Sequence, residues 1–199
     1  MMSKPWAGNT QRTTYTKVAM ALHWVIAGAI MLQLLGGLQL EGLKGAEKFA
    51  AFQNHKSLGL TILMLSVVRL LWRIANPPPK LPESMKKWEV AAAKFTHIAF
   101  YCLMIGVPLG GWVIISTSPY NIATNWWGLF EWPRLPLSDL PFRKALNGLA
   151  KQGHEIGAFS IIGLLVVHIG AALKHMFVND DDVASRMIPF LPKKDTTSS

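Results

Sequence analysis

The chain has 199 residues, of which 51% are hydrophobic and only 16% are charged. A soluble domain of this length would carry about a quarter charged residues, so the composition indicates a membrane protein. The net charge of +9 comes from lysine and arginine at the ends of apolar runs rather than from one basic patch. This pattern argues against nucleic-acid binding and is typical of membrane loops. The single cysteine, Cys102, excludes an intrachain disulfide, and without a Cys-x-x-Cys-His sequence any haem would be noncovalent and b-type.

Four apolar runs are each long enough to cross a hydrocarbon core of about 30 Å and predict four membrane helices. The first run follows a polar tail and is too long for a signal-peptide core. The second ends before three prolines at 77–79, and the third contains Pro108. The connection between the third and fourth helices carries Trp126, Trp127 and Trp132, which we expect at the membrane interface, and a short helix at about 140–149. The predicted membrane helices are about 18–40, 54–73, 90–116 and 153–178.

An even number of spans places both termini on the same side of the membrane. The two tails and the loop between the second and third helices hold more lysine and arginine than the other two loops. The positive-inside rule therefore predicts cytoplasmic termini. No internal repeat is visible, so residues 1–199 are expected to form one all-α, four-transmembrane-helix bundle in a bacterial inner membrane. Gly106 and Gly110, one turn apart, predict a close helix contact and suit a homodimer.

Four histidines lie at two depths within these helices. His154 and His168 are fourteen residues apart on one helix, which places their side chains within about 40° of each other and about 21 Å apart along the axis. His23 shares the cytoplasmic-side depth of His168, and His55 shares the periplasmic-side depth of His154. Ionisable side chains inside a membrane are costly and are functional candidates. The depths therefore predict two stacked haems, one held by His23 with His168 and the other by His55 with His154.

The residues one turn after each histidine test this pairing, because a porphyrin needs room there. Small residues follow all four predicted ligands, whereas larger ones follow His97 and His175. We expect His97 to be structural or directed at a haem propionate, and His175 to be an interfacial side chain. The small residues are Ala27 for His23, Gly59 for His55, Gly157 and Ala158 for His154, and Ala171 and Ala172 for His168.

Other interpretations of these polar residues need weighing. A zinc site is incompatible with imidazoles separated by about 20 Å in depth, because one tetrahedron cannot span them. Arg69 is either a snorkelling cap at the interface or, together with Arg73, a contact to haem propionates or to a quinone carbonyl. Two imidazoles per iron would fill both axial positions and leave electron transfer as the natural task of each haem.

Five motifs occur in order along nearly the whole chain, and the part of the chain that carries the resemblance described below ends at 186–189. They are Ala-Leu-His-Trp at 21–24, His-Lys-Ser-Leu-Gly at 55–59, Val-Val-Arg-Leu-Leu-Trp-Arg at 67–73, Trp-Gly-Leu-Phe at 127–130, and His-Glu at 154–155 with a further histidine at 168. In this order and at this spacing the sequence resembles the bacterial cytochrome b561 family of diheme membrane cytochromes.

The resemblance implies a four-helix bundle with two b haems at the positions of the same four histidines. It also implies a superoxide:ubiquinone oxidoreductase activity, in which periplasmic superoxide donates an electron that passes through both haems to ubiquinone. A cationic rim near the periplasmic haem would then steer the anionic radical, although contact with lipid phosphates is the alternative role for each of these side chains. The rim residues are Lys56, Arg143, Lys144 and Lys151.

Two other functions are compatible with the sequence. The chain could be a membrane-anchor subunit that relays electrons for a dehydrogenase or hydrogenase complex, which would dock on the connection from 117 to 152. Alternatively, it could be a haem-binding sensor or shuttle without turnover. Reduction of the haems by superoxide alone would favour superoxide:ubiquinone transfer, whereas co-purification of a large subunit in fixed stoichiometry would favour the anchor subunit. A sensor or shuttle predicts haem exchange with added apoprotein.

Overall fold

The computed structural model describes residues 14–82, 85–120 and 122–188. Within them the chain forms four α-helices, α1 (Lys17–Gln39), α2 (Gly45–Ala75), α3 (Lys87–Thr117) and α4 (Arg143–Phe177). All four are long and apolar enough to cross a membrane, which confirms the predicted all-α membrane fold. Most of the two predicted polar tails, at 1–13 and 189–199, lies outside the described residues.

Two of the helices begin well before their predicted starts. α2 begins at Gly45 rather than near 54, and α4 begins at Arg143 rather than near 153. An apolar run marks only the part of a helix that lies in lipid, whereas the helical hydrogen bonds continue through polar turns in water. The 35 residues of α4 span about 52 Å, well beyond a hydrocarbon core of about 30 Å. The separate helix predicted at 140–149 is therefore the first part of α4.

The helices pack in chain order, with α1 on α2, α2 on α3, and α3 on α4. The α3–α4 contact is close, because a Cβ atom at Gly157 would lie 2.4 Å from Val107 Cγ2. Gly110 faces the same contact, near the Ala150 carbonyl, whereas Gly106 faces open space. Gly110 therefore takes part in packing between two helices of the same chain. The two glycines do not form one free face for a homodimer.

A layer of buried apolar side chains occupies the middle of the bundle. Within the described part of the chain, the backbone of α4 packs much less extensively on α1 or α2 than on α3. α4 meets α1 and α2 through side chains of this layer. Ile161 of α4 lies in the layer, seven residues from both His154 and His168. The histidine pairs therefore lie on either side of the core, which contains Ile26, Ile30, Ile62, Met104 and Ile161.

We call the end of the bundle where α1 begins and α4 ends the terminal end. There, Trp72 Nε1 donates a hydrogen bond to Thr16 Oγ1 (2.9 Å). Lys174 of α4 forms an ion pair with the buried Glu89 of α3. The segment after α4 returns across this end, where Trp24 Nε1 donates to the Met187 carbonyl at 3.1 Å. These contacts join all four helices around the histidines at this end.

The opposite end, which we call the loop end, carries the connection from 118 to 142. A short antiparallel hairpin, β1 (Asn125–Trp126) and β2 (Phe130–Glu131), lies within it. Its turn contains Trp127 at φ 52° and Gly128 at φ 74°, and Leu129 N–H donates to the Trp126 carbonyl. Positive φ at both central residues matches the right-handed twist of a hairpin. The connection is thus a folded cap at the loop end.

Candidate functional site: two histidine pairs at opposite ends of the bundle

The terminal end holds His23 of α1 and His168 of α4, whose ring centroids are 6.2 Å apart. The loop end holds His55 of α2 and His154 of α4, with ring centroids 6.1 Å apart. The described structure thus brings together the same two pairs that the depth argument predicts. In each pair, one ring comes from α4 and the other from a helix that α4 does not pack against extensively.

These separations can be compared with the geometry of two imidazoles on one metal ion. A metal–imidazole bond is about 2.0–2.1 Å long, as for zinc, and each atom of a ring with bonds of about 1.33 Å lies about 1.1 Å from the centroid. Two imidazoles on opposite sides of one iron therefore have centroids about 6.3 Å apart. Edge-to-face ring packing covers the same range, so the hydrogen bonds of each ring provide the further test.

His154 has the environment of a metal ligand. Its Nδ1 atom lies 2.9 Å from the Val107 carbonyl oxygen, and because a carbonyl can only accept, Nδ1 carries the proton. Nε2 is then the unprotonated nitrogen and is available to a metal. Donation of the second ring N–H to a backbone carbonyl is the usual way in which proteins orient a ligating histidine. The loop-end ring of α4 is therefore held in the tautomer that ligation requires.

His55 fits the same site from the opposite side. Its Nδ1 atom is buried and has no hydrogen-bond partner among the described residues. Gly37 lies against this ring, where a Cβ atom would be 3.2 Å from His55 Cε1, and Gly111 lies equally close to the His154 ring. The ring atoms nearest to both glycines are Cε1 and Nδ1, so each ring turns its Nδ1 side toward a helix and keeps Nε2 for a ligand. The residues at the loop end therefore fit a metal-centred cofactor held between the two rings.

The hydrogen bond of His23 differs from those at the loop end. Arg69 Nη1 lies 2.9 Å from His23 Nδ1, and because a guanidinium can only donate, Nδ1 is the acceptor. The neutral ring then carries its proton on Nε2. Ligation through Nε2 requires Arg69 to leave Nδ1, and a carboxylate such as a haem propionate is the partner that an arginine prefers. Arg69 therefore contacts the predicted ligand directly in the described structure.

His97 is the histidine that is hardest to distinguish from the four predicted ligands by sequence alone. Its ring centroid is 6.1 Å from that of His168, which equals the separations within the two pairs. However, α3 and α4 pack directly on each other, and directly packed helices have axes about 8–10 Å apart. That spacing leaves no room for a macrocycle between them. Helix packing therefore favours His23 over His97 as the partner of His168.

His175 is buried rather than interfacial, which differs from the sequence-based expectation. Its Nδ1 atom lies 2.6 Å from Asp181 Oδ2 and 3.2 Å from Asn179 Nδ2. The short turn after α4 brings these side chains back onto the helix end. The role of His175 in the described structure is to hold the C-terminal segment against α4.

The predicted cationic rim divides into two groups. Lys56 is only 8% exposed, and its Nζ atom donates to the Ala123 carbonyl at 2.9 Å. It therefore holds the loop-end cap on α2 and is not an exposed rim residue, contrary to expectation. Lys144 and Lys151 are exposed on α4, while the partly exposed Arg143 donates to the Ser138 carbonyl.

Some residues of the site were not identified from the sequence. Gly37 and Gly111 contact the rings of the predicted ligands His55 and His154, and Arg134 lies at the loop end, where its guanidinium donates to the Tyr120 and Ile122 carbonyls. The Gly36-Gly37 and Gly110-Gly111 pairs were a usable signal, because paired glycines inside an apolar helix often mark a close approach. Two of the small residues predicted to make room for a porphyrin instead pack against a neighbouring helix. Gly59 faces Gln33, and Gly157 faces Val107.

Comparisons with known proteins agree on one family. The family model described as prokaryotic cytochrome b561 matches residues 14–190. The chain is 30% identical to cytochrome b561 homolog 2 of Escherichia coli over 176 residues, which cover 87% of this chain and 90% of the relative. It is 25% identical to a protein of Yersinia pestis named "probable superoxide oxidase", over 88% of this chain and 96% of the relative. A cytochrome b562 of Cereibacter sphaeroides is 26% identical over 90% of this chain and 98% of its own length.

Proposed function

Because the chain belongs to the prokaryotic cytochrome b561 family, we propose that it is a diheme cytochrome that transfers electrons from periplasmic superoxide to ubiquinone. Membership makes it a multi-pass b-type cytochrome of the bacterial inner membrane. The proposal concerns the number of haems, the electron donor and the quinone acceptor. The observation that carries the proposal is the presence of one histidine pair at each end of the bundle, both at a centroid spacing that two imidazoles on one metal ion would have.

The ligand set supports electron transfer rather than oxygen chemistry. When bound, each haem would supply a one-electron iron couple, and one histidine pair would hold it. On the protein side, the Val107 carbonyl orients His154, and Arg69 places a positive charge beside His23. Ile161 and the other core side chains fill the layer between the two pairs. These residues exclude water from the middle of the bundle and keep the two sites at a constant separation.

Two observations support superoxide as the donor. Lys144 and Lys151 are exposed on the first turns of α4, close in the chain to His154, and exposed cations raise the local concentration of an anion. One relative with near full-length coverage is named a probable superoxide oxidase. In the proposed orientation, with both termini in the cytoplasm, the loop end faces the periplasm, where the radical would arrive.

The proposal is tested first by a haem count per chain, with oxidised and reduced absorption spectra, on the wild type and on His168→Ala. We expect two low-spin b haems in the wild type and loss of one in the variant. The purified protein is then placed in liposomes containing ubiquinone and supplied with superoxide. Reduced quinone should accumulate, and its absence from wild-type liposomes that retain both haems would contradict the superoxide reaction.

The anchor-subunit alternative has one specific observation in its favour. At the tip of the loop-end hairpin, Leu129 is 71% exposed and Phe130 is 50% exposed, and apolar side chains at such a position can contact a partner protein. If a large subunit co-purifies in fixed stoichiometry and superoxide alone does not reduce the haems, the chain is a relay for that subunit.

A further inference from the structure

The two halves of the loop-end site share one arrangement of ring and helix. The His154 ring lies against Gly111 of α3, and the His55 ring lies against Gly37 of α1. A Cβ atom at Gly111 would lie 3.5 Å from Nδ1 of His154, and one at Gly37 would lie 3.6 Å from Nδ1 of His55. In a helix, the carbonyl group of the residue four before each glycine points toward that glycine. On α3 this residue is Val107, whose carbonyl oxygen accepts from His154 Nδ1.

The residue at the corresponding position of α1 is Gln33, four residues before Gly37. Its Nε2 atom donates to the main-chain carbonyl oxygen of His55 at 3.0 Å, so the amide lies against the turn of α2 that carries the predicted ligand. Gly59, one turn after His55, makes room for this amide, because a Cβ atom there would lie 3.2 Å from Gln33 Nε2. Gln33 therefore belongs to the half of the site that holds His55.

Two polar atoms in this half of the site are complementary. Among the residues that the structure describes, Nδ1 of His55 and Oε1 of Gln33 are both buried and neither has a hydrogen-bond partner. If Nε2 of His55 binds iron, Nδ1 carries the proton and is a donor, whereas the amide oxygen of Gln33 can only accept. A buried polar atom without a partner is destabilising. The donor and the acceptor that each atom needs therefore belong to two residues already in contact.

We propose that Gln33 is a positioning residue for the predicted ligand His55, with Oε1 of Gln33 accepting a hydrogen bond from Nδ1 of His55 when Nε2 holds the loop-end haem. The inference rests on the two-haem part of the proposed function and assigns to His55 the role that the Val107 carbonyl has for His154. Donation from Nδ1 makes the imidazole a more basic ligand, and a more basic ligand stabilises oxidised iron. Gln33 therefore lowers the midpoint potential of the loop-end haem and helps to retain it.

The competing acceptor is the main-chain carbonyl of Gln33, which corresponds by position to the Val107 carbonyl. Gln33→Met separates the two, because it removes the side-chain oxygen but keeps the main-chain carbonyl and a side chain of similar length. A role of Gln33 in packing alone is separated by the same variant. Loss of packing would change the stability of the bundle without a change in the basicity of His55.

The test uses the haem-loaded protein in nanodiscs of fixed lipid composition. A redox titration gives the midpoint potentials of both haems, with His154→Ala identifying the loop-end signal, and transfer of haem to excess apomyoglobin measures haem retention. We expect Gln33→Met to raise the potential of the loop-end haem, to leave that of the terminal-end haem unchanged, and to weaken retention of the loop-end haem about tenfold, as for loss of other partners of ligating histidines. Gln33→Glu, which restores a side-chain oxygen, should retain the haem better than Gln33→Met.

Gln39→Met is the matched control, since Gln39 is an exposed glutamine of the same helix. This variant should have the potentials and the haem retention of the wild type. If Gln33→Met leaves the loop-end potential and retention unchanged, with or without a lower melting temperature, the side-chain oxygen is not the acceptor and the inference is overturned while the proposed function stands. If the wild type holds no haem at the loop end, the proposed function fails together with the inference.

Discussion

The Nδ1 atom of His154 on α4 lies 2.9 Å from the carbonyl oxygen of Val107 on α3. This contact lies where α4 packs on α3, whereas the opposing histidines come from α1 and α2. α3 serves as the support that orients the α4 ligand, while the face of α4 toward α2 stays available for a cofactor. The predictions below test this division of roles.

Loss of His154 and loss of His97 should have different effects. We expect His154→Ala to lose the loop-end haem and keep the terminal one, because no described imidazole other than its partner His55 lies at the loop end. His97→Ala should keep both haems, since His97 sits on a helix packed directly against the partner of His168. Haem content and low-spin spectra of both variants provide the measurement. Loss of a haem in His97→Ala with both retained in His23→Ala would contradict the terminal pairing.

Gly111→Val should perturb the loop-end haem. A Cβ atom at this position would already lie 3.3 Å from His154 Cε1, so the larger side chain must displace the ring from its orientation. We expect weaker haem retention or a shifted midpoint potential at the loop-end site. Gly106→Val is the matched control on the same helix, because nothing lies within 4 Å of its Cβ position. Equal haem spectra in the two variants would show that ring contact at Gly111 is unimportant.

Gly157→Ala should destabilise the bundle through the α3–α4 contact. Its Cβ atom would lie 2.4 Å from Val107 Cγ2, so helix or side chain must shift at a cost of about 1–3 kcal/mol. The shift would also move the Val107 carbonyl away from His154. We expect a lower melting temperature and lower loop-end haem occupancy. Gly163→Ala, which has open space at its Cβ position, should melt like the wild type or slightly higher.

Arg69→Met should lower the midpoint potential of the terminal-end haem. A positive charge beside a haem favours its reduced form, and Arg69 contacts the predicted ligand His23. Removal of the charge should therefore make this haem harder to reduce, while the loop-end haem changes little. A redox titration that resolves the two haems measures both. A shift confined to the loop-end haem would contradict the placement of Arg69.

Lys144→Gln and Lys151→Gln should slow the reaction with superoxide, because both cations are exposed near the loop-end site. The deficit should be a few-fold at low salt and should vanish as ionic strength rises from about 0.01 M to about 1 M, where the Debye length falls from about 30 Å to about 3 Å. Lys56→Met should instead impair folding of the loop-end cap, since its Nζ atom binds the Ala123 carbonyl. A deficit that is independent of salt in the exposed variants would exclude electrostatic steering.

Local sequence features predicted which histidines lie near each other in the structure. The depth of each histidine follows from its position within an apolar run, since a run of that length crosses the membrane once, together with the positive-inside rule. The described structure brings together the same partners at both ends. Sequence reasoning missed the burial of Lys56, because an apolar run does not reveal that a loop returns to bury one lysine. It failed for the starts of α2 and α4 because hydropathy follows lipid contact, whereas helices extend into water.

By itself, the sequence determined the number of membrane helices, the family and the depths of the four histidines, because hydrophobic length and local motifs are properties of neighbouring residues. Only the tertiary structure decided which helices pack directly, and therefore that His97, although its ring lies 6.1 Å from that of His168, belongs to a helix packed directly on α4. It also decided which nitrogen of His154 is protonated and that Gln33 lies against His55. These features depend on contacts between residues far apart in the chain, and such contacts are set by the packing of whole helices.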